Sequence, residues 1–515
     1  MAFDLSVFEM SPGSPGHAAP DEAYLQSQLS LAREDSAMRF ARLMAYYRND
    51  LRDAWPLRGS AEFADSSRPY VQAQEYGLPA RITGFRHDGF GAIHAGERVN
   101  AIRRKEVVIE NDIGWRVDTM VNYLFGRPVH VRSQAADESL RQRIETALNA
   151  ALEANGGLTF LQQLALFGHV YGFVDLMVRG AALNRGDLGG ELAAAGIASE
   201  AQGPADSLGA IAEAARGLTF ELIEADRAVP IVNVNDYREL DYYVQHFRQR
   251  VNRIDGEGFE RSVMVTEIVG PTTWQRYHDE ELVASGDNPL GRIPVVHVQN
   301  LPRPFYYEGE SEVERLVGLQ DELNTRLSDR ANRITFQSFK MYLGRGIDNF
   351  EGRPIAPGRM WSTDNPEASI QEFGGDPGSP SEEHHIEQIR EALDKVSGVP
   401  PVAAGVVRDR LGNLTSGTAL RLTLASLLSK TAAKRALYGR GIEQVCELTL
   451  AWLDAAGVLA TRPADRRVQI EWPALPCDSE AEQLQTALLK RQVGVPADRV
   501  LADLGYANLT ATSAE

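Results

Sequence analysis

The chain has 515 residues, of which 43% are hydrophobic and 24% charged, so it can hold two to four structural regions around a large core. Its two cysteines, Cys446 and Cys477, offer neither a disulfide framework nor the spacing of a metal site, and we expect an intracellular, reducing setting. No apolar run reaches the ~18 residues that span a bilayer, and the first residues lack the basic and apolar regions of a secretory signal. The sequence therefore predicts no membrane span.

The formal net charge is −18, and the isoelectric point is near 5.1. A protein that grips DNA by neutralising its phosphates is normally basic, so most of this surface should repel DNA. An acidic surface nevertheless suits a duct through which DNA slides without sticking. The charge alone therefore does not exclude nucleic acid.

The first third of the chain alternates helices with strands. Residues 1–20, with Pro and Gly between small residues, are expected to be disordered, and 21–50 have a helical period. The next predicted helices are Trp115–Phe125, Ser139–Ala154 and Leu158–Gly168, and the predicted strands are Val129–Arg132 and Val170–Val178.

A segment rich in Ala and Gly, 180–216, is predicted to be a surface insertion with a weak helix at its end. Short runs of β-branched and aromatic residues follow, as in antiparallel meanders. The predicted strands are Thr219–Glu224, Pro230–Val234, Leu240–Arg248, Val263–Val269, Thr273–His278, Glu281–Ala284 and Val295–Gln299.

The second half of the chain is built around long helices. Glu310–Gln337 has apolar residues at steps of three and four, which predicts one long helix. Two more helices are expected, over 381–396 and over 416–459, and the Gly439–Gly441 pair suggests a bend in the longer one. The smaller predicted elements are the strands Phe339–Gly344, Arg359–Ser362, Ser369–Phe373 and Val468–Trp472 and the helix Ser479–Gln492.

Three segments resemble the portal (head–tail connector) proteins of tailed bacteriophages, of the siphophage type. They are NDIGWRVDTMVNYLFGRPV (Asn111–Val129), GRIPVVHVQNLPRPFYYEGESEVERLVGLQDELN (Gly291–Asn324), and the run from SGVPPVAAGVV to LTSGTALRLTLASLLSKTAAKR (Ser397–Arg435). Their order along the chain, together with their motifs, carries the resemblance.

The resemblance implies an α+β subunit with an α/β wing, a two-helix stem, a small α/β clip, a long bent helix and a helical C-terminal crown. It implies a ring of about twelve copies around an axial channel. Laid on this sequence, the parts are the wing 21–305, the first stem helix 309–337, the clip 338–379, the second stem helix 381–397, the tunnel loop 398–415, the bent helix 416–459 and the crown 460–515.

The tunnel loop carries the candidate DNA-contact residues Val406, Arg408, Arg410 and Asn413. Seven Lys and Arg against one acid lie between Val399 and Arg440, a local reversal in an acidic chain. For the part from Lys430 to Arg440, a solvated helix face explains the charge as well as function does. For Arg408 and Arg410 we favour weak, non-specific contacts with DNA phosphates, because the resemblance places this loop at the narrowest point of the channel.

Copies are expected to pack against each other through the stem residues Val313, Leu316, Leu323 and Leu327. The clip strands are expected to join those of the next copy. The resemblance also implies partners: double-stranded DNA, the large terminase ATPase, the major capsid and scaffolding proteins, and a head–tail adaptor. It places the protein at a capsid vertex of the virion, after assembly in the host cytoplasm.

No catalytic constellation, cofactor motif or metal motif is convincing. A P-loop is absent because the chain has no Gly-Lys dipeptide, and no GxSxG, HExxH or CxxC motif occurs. His384 and His385 follow two glutamates, but neighbouring helix residues point apart, which favours a solvated helix start over a metal site. The nine acids between Asp364 and Lys395 are more typical of a solvated or channel-facing surface than of an active site.

The predicted function is therefore a non-enzymatic ring that conducts DNA during packaging and ejection and serves as a docking platform. Two alternatives stay open. One is a structural ring or scaffold protein without DNA passage. The other is an α+β enzyme acting on nucleotides, with Arg408 and Arg410 as phosphate binders.

Overall fold

The computed structural model describes a little over three hundred residues of the chain, and every structural statement below concerns them. The described ranges are 39–49, 108–180, 207–233, 235–236, 238–251, 261–279, 281–338, 341–345, 366–373, 380–405, 417–473, 480–497 and 500–501. They fall into two compact units. Unit 1 contains the described residues of 39–41, 120–311 and 428–501, and unit 2 contains those of 42–119 and 312–427.

The predicted α+β class is confirmed, since long helices and antiparallel sheets both occur. Residues 39–48 are helical. The other helices are α1 (Asp112–Phe125), α2 (Glu138–Ala154), α3 (Gly157–Tyr171), α4 (Leu208–Arg216), α5 (Val317–Ser338), α6 (Pro380–Ser397), α7 (Gly417–Ala455) and α8 (Glu480–Gln492). None of the helices in these ranges is both long enough and apolar enough to cross a membrane.

The strands are short, and all their pairings are antiparallel. In chain order they are β1 (His130–Ser133), β2 (Phe173–Arg179), β3 (Thr219–Ile223), β4 (Ala228–Val232), β5 (Leu240–Val251), β6 (Arg261–Val269), β7 (Thr273–His278), β8 (Glu281–Asp287), β9 (Val295–Gln299), β10 (Met341–Arg345), β11 (Ser369–Phe373) and β12 (Val468–Glu471).

Unit 1 contains a three-stranded sheet of order β3-β2-β9 and a five-stranded meander of order β4-β5-β6-β7-β8. Every residue of the central strand β2 is buried, as expected for a strand covered on both faces. The two sheets are joined by buried polar contacts: Arg179 of β2 donates to Glu267 of β6 at 2.7 Å, and Tyr243 of β5 donates to Asp175 of β2 at 2.8 Å. These contacts fix one sheet on the other.

The part of α7 in unit 1 packs on the three-stranded sheet. Trp452 Nε1 donates to the carbonyl oxygen of Val178 in β2 at 2.9 Å. A Cβ at Gly441 would overlap the side chain of Val298 in β9, and one at Gly439 would lie 3.4 Å from the Trp472 ring. The α-helix is continuous through both glycines. Close packing therefore explains Gly441, and the bend at this pair stays a prediction.

A strand from the C-terminal region completes a two-stranded sheet in unit 1. β12, which falls in the predicted crown, pairs with β1 of the predicted wing, with Val131 opposite Ile470. The compact units are therefore discontinuous in sequence. The division into wing, stem, clip, tunnel loop and crown is a functional one and stays a prediction.

Unit 2 contains α5 and α6, which pack against each other, and the β10–β11 hairpin. The long helix was predicted from Glu310, but α5 begins at Val317, so the predicted start is wrong by seven residues. The physical reason lies in unit 1. The Glu310 amide donates to the carbonyl oxygen of Leu301, and the Ser311 hydroxyl donates to that of Val170, so this segment is held outside a helix.

Most other predicted elements are confirmed with shifts of one to three residues. β7 and β9 have the predicted bounds, and α7 ends at Ala455 instead of Leu459. The weak helix expected at the end of the Ala- and Gly-rich insertion is α4. The strand predicted over Arg359–Ser362, most of that insertion and residues 1–20 lie outside the described residues.

Candidate functional site

The candidate site is the α5–α6 helix pair of unit 2 with the loop that follows α6. Val313, Leu316, Leu323 and Leu327, which the sequence predicts to pack between copies, are only 0–4% exposed in the single chain. Ile386, Ile389 and Leu393 of α6 are buried as well. The four residues predicted to pack between copies therefore belong to the core of the subunit itself. A contact between copies through them stays a prediction.

A second face of α5 carries three buried polar side chains, Gln320, Asn324 and Ser328, at a spacing of four residues. They bind the backbone of the segment 108–112 at every second residue. Four helix residues rise about 6 Å, and two extended residues advance about 6.6 Å, so the two repeats match. The α5 side chains thus replace a neighbouring strand for this segment.

We call this set of contacts the polar ladder. Its bonds are Val108 N to Ser328 Oγ (3.0 Å), Glu110 N to Asn324 Oδ1 (3.0 Å), Gln320 Nε2 to the Glu110 carbonyl (2.6 Å) and Asp112 N to Gln320 Oε1 (3.2 Å). Gln320 Nε2 also donates to Asn324 Oδ1 at 3.0 Å. Sequence reasoning missed the ladder, although Gln, Asn and Ser at four-residue spacing inside an apolar helix pattern indicate it.

Ion pairs connect the start of α1 to α6. The Arg116 guanidinium is almost fully buried and donates to Asp112 at 2.8 Å and to Asp394 at 2.6 Å. Arg390 of α6 donates to Glu110 at 2.7 Å. A buried guanidinium needs such partners because an unpaired charge in the interior is costly. The ladder and these pairs therefore hold 108–116 between α5 and α6.

The outer surface of the helix pair is also linked by charge. Arg326 donates to Glu322 at 2.8 Å, and His385 Nε2 lies 3.4 Å from the same carboxylate. Burial acts to raise the pKa of Glu322, but the hydrogen bond and charge of Arg326, with His385, outweigh it and lower the pKa. Arg333 pairs with Glu382. Within the ranges given above, no group of three or more His, Cys, Asp or Glu side chains is arranged to hold a metal.

The start of the predicted tunnel loop is well defined. Gly398 and Gly405 adopt positive φ angles of 69° and 80°, which glycine tolerates, and they flank a 3₁₀ turn at Pro401–Ala404. Val399 is fully buried, so the loop is anchored where it leaves α6. The four predicted DNA-contact residues, Val406, Arg408, Arg410 and Asn413, lie outside the described residues.

Two of the cations on α7 are structural. Lys434 is buried and its ammonium donates to Asn300 Oδ1 at 2.9 Å, and the Arg435 guanidinium lies over the Trp472 ring, 5.2 Å from its centroid. The solvated helix face considered for this stretch is therefore wrong at Lys434. Arg440, in contrast, is exposed.

Unit 1 contains an Asp–His pair of the kind found in catalytic sites, with Asp175 fully buried and His297 partly buried. His297 Nδ1 lies 2.7 Å from Asp175 Oδ1, but its Nε2 lies 2.8 Å from the carbonyl oxygen of Tyr307. Both ring nitrogens thus face acceptors, which leaves none to act as a base on a substrate. Burial, with the charge and hydrogen bond of Asp175, raises the pKa of the Tyr243 and Tyr307 hydroxyls well above their usual range. The cluster is structural.

Comparison with known proteins assigns the chain to a family. Residues 208–501 match the family model described as phage portal protein, SPP1 Gp6-like. The match spans more than half of the chain and includes α5, α6, the loop and α7. The chain belongs to this family of phage portal proteins. It is a structural, ring-forming subunit of the virion, located at a capsid vertex.

The similar solved structures include two at low identity to this chain. A chain in the virion of a native gene transfer agent particle has a TM-score of 0.40 and 12% identity, over 76% of this chain and 88% of that one. A chain in the neck of an empty gene transfer agent particle, computed with C6 symmetry, has a TM-score of 0.43 and 13% identity, over 77% and 90%. At these values the family match carries the assignment. No curated protein matches the chain.

Proposed function

We propose that about twelve copies form a ring at one capsid vertex and that double-stranded DNA passes through its axial channel during packaging and ejection. The single observation that carries this proposal is the portal-family match over residues 208–501. That range includes α5, α6 and the tunnel loop 398–415, which are the parts expected to line the channel.

The loop after α6 is the proposed DNA contact. Its residues Val406, Arg408, Arg410 and Asn413 carry two cations in an otherwise acidic chain. Val399, which is fully buried and whose amide donates to Ser397 Oγ at the end of α6, anchors the start of this loop. A ring of such loops would present many weak phosphate contacts, so the duplex can move and yet resist leaking back.

The helix pair is the proposed strut of the ring. Its buried apolar core, its polar ladder and the Arg116 ion pairs make it rigid within one subunit. Contacts between copies that include Val313, Leu316, Leu323 and Leu327 belong to this proposal. Because these side chains are already covered, they would act mainly by holding the outer residues of α5 and α6 in position.

The remaining partners follow from the same role. The clip, 338–379, would face the large terminase ATPase during filling and the head–tail adaptor afterwards. The wing would contact the major capsid and scaffolding proteins, and assembly would take place in the host cytoplasm. ATP hydrolysis would come from the terminase, because this chain lacks a P-loop and is proposed to have no enzymatic activity.

The test replaces Arg408→Gln and Arg410→Gln together in particles assembled with the variant. The matched control is Arg462→Gln with Arg467→Gln, which removes the same charge from exposed positions of unit 1. We expect both variants to form rings, and the DNA content of purified particles to fall several-fold only for the loop variant. Equal DNA content in both would overturn the loop's role. Nuclease or NTPase turnover by the pure protein, abolished by Arg408→Ala, would favour the enzyme alternative.

A further inference from the structure

Helix α8 exposes large apolar side chains on two separate sides. Leu484 and Leu488 are 53% and 64% exposed, and Leu489 and Val493 are 56% and 85% exposed. The Val493 amide donates to the Leu489 carbonyl at 3.0 Å, so the helical geometry reaches Val493. At about 100° per residue, each pair forms a narrow stripe, and the two stripes lie about 140° apart around the helix axis.

The other two sides of α8 have different surroundings. Ala487 is 8% exposed and Lys490 is partly buried, and together they mark the side that faces the helix's own subunit. Gln485 and Gln492 lie on the opposite side and are exposed. One side of the helix thus packs against its own subunit, and the opposite, polar side is exposed to solvent. An apolar stripe lies on each flank.

This arrangement fits a cyclic ring better than a two-fold dimer. A two-fold dimer uses one surface twice and would cover one stripe, whereas a ring contact joins two different surfaces and uses both. Apolar stripes this exposed on a single chain mark interaction sites. We infer that the Leu484–Leu488 stripe of one copy packs against the Leu489–Val493 stripe of the next copy. This inference rests on the ring assembly described above.

Packing of one flank against the other requires α8 to run along the ring axis, and the register of the contact then follows from the symmetry. Copies related by rotation about the ring axis place equivalent residues at equal heights. Leu488 and Leu489 are adjacent and differ by only about 1.5 Å along the helix, yet they lie on opposite flanks. Leu488 of one copy should therefore meet Leu489 of its neighbour, and the α8 helices should form a closed belt.

A cysteine pair tests this geometry in the full-length protein. In a Cys477→Ser background, the variant Leu488→Cys with Leu489→Cys carries one thiol on each flank. Burial raises the pKa of the remaining Cys446 to about 12, so it stays an unreactive thiol. After oxidation of assembled rings, we expect a ladder of disulfide-linked multimers on a denaturing, non-reducing gel.

Either single cysteine variant serves as the control and should remain monomeric on that gel, because its neighbour presents a leucine. Rings of normal mass whose double variant also stays monomeric would overturn the inference and leave the portal function standing. A wild-type protein that forms no rings at any concentration would overturn both.

A second pair of variants guards against effects on folding. Leu488→Asp with Leu489→Asp places charges on both flanks, and Gln485→Asp with Gln492→Asp places the same charges on the water-facing side. All four positions are exposed in the single chain, so the unfolding temperature of the monomer should hardly change. We expect the ring fraction to fall about ten-fold for the flank variant and to stay near wild type for the control. Equal assembly of both would contradict the belt.

Discussion

At the scale of single residues, the polar ladder explains why α5 carries Gln, Asn and Ser inside the protein. Each of these side chains replaces a backbone partner that the segment 108–112 would otherwise find in a sheet. Asn324 is central because its Oδ1 accepts from both the Glu110 amide and Gln320 Nε2. A buried donor that loses its acceptor destabilises the folded state by the full free energy of its desolvation.

The variant Asn324→Ala should therefore loosen this segment. A buried donor, Gln320 Nε2, and a partly buried one, the Glu110 amide, lose an acceptor. The cost of about 1–3 kcal/mol corresponds to roughly 5- to 150-fold faster amide exchange in 108–112. Hydrogen-exchange mass spectrometry of that peptide is the measurement. The control is Arg326→Ala, on the solvent side of the same helix, where loss of surface ion pairs should cost under about 1 kcal/mol. Equal protection in the two variants would refute the ladder's role.

Two glycines of α7 allow the effect of close packing on stability to be compared with the effect of helix propensity. A Cβ at Gly441 would overlap the buried side chain of Val298, which is stiff because it is β-branched. A Cβ at Gly439 would make an ordinary contact with Trp472. The two glycines, although only two residues apart, therefore have different reasons to be glycine.

Alanine substitutions at these positions should have opposite effects on stability. Gly441→Ala should destabilise unit 1 by about 1–3 kcal/mol through overpacking, and Gly439→Ala should stabilise it by up to about 1 kcal/mol through helix propensity. Unfolding of the unassembled protein by chemical denaturant compares the two. Equal destabilisation by both would instead support a bend that needs both glycines.

At the scale of elements, strong local patterns predicted most of the fold. β7 and β9 have the expected bounds because alternation and flanking turn residues are properties of the segment itself. The start of α5 could not be predicted, because the Ser311 hydroxyl bonds to the carbonyl oxygen of Val170, which lies 141 residues earlier in the chain. The same helical period continues through Val313 and Leu316, so the pattern alone predicted a helix start that is too early in the chain.

The candidate site was predictable only in part, for similar reasons. Leu323 and Leu327 were correctly placed on an apolar face, but periodicity does not say whether that face meets the same chain or another copy. The buried Lys434 was unpredictable because its partner, Asn300, lies 134 residues earlier. The predicted contacts of Arg408 and Arg410 depend on the ring and stay predictions.

At the scale of the whole molecule, the chain joins discontinuous segments into two compact units. The β1–β12 pair shows why a linear division into domains is not enough, since Val131 and Ile470 come together only in the folded protein. The net charge of −18 makes the surface as a whole repel DNA. Passage of DNA would then depend on a few cations placed at the channel.

Electron microscopy of the purified, assembled protein tests the central claim most directly. We predict closed rings of about twelve copies with a central hole wide enough for B-form DNA. Filaments, or closed particles without such a hole at all protein concentrations, would contradict the account.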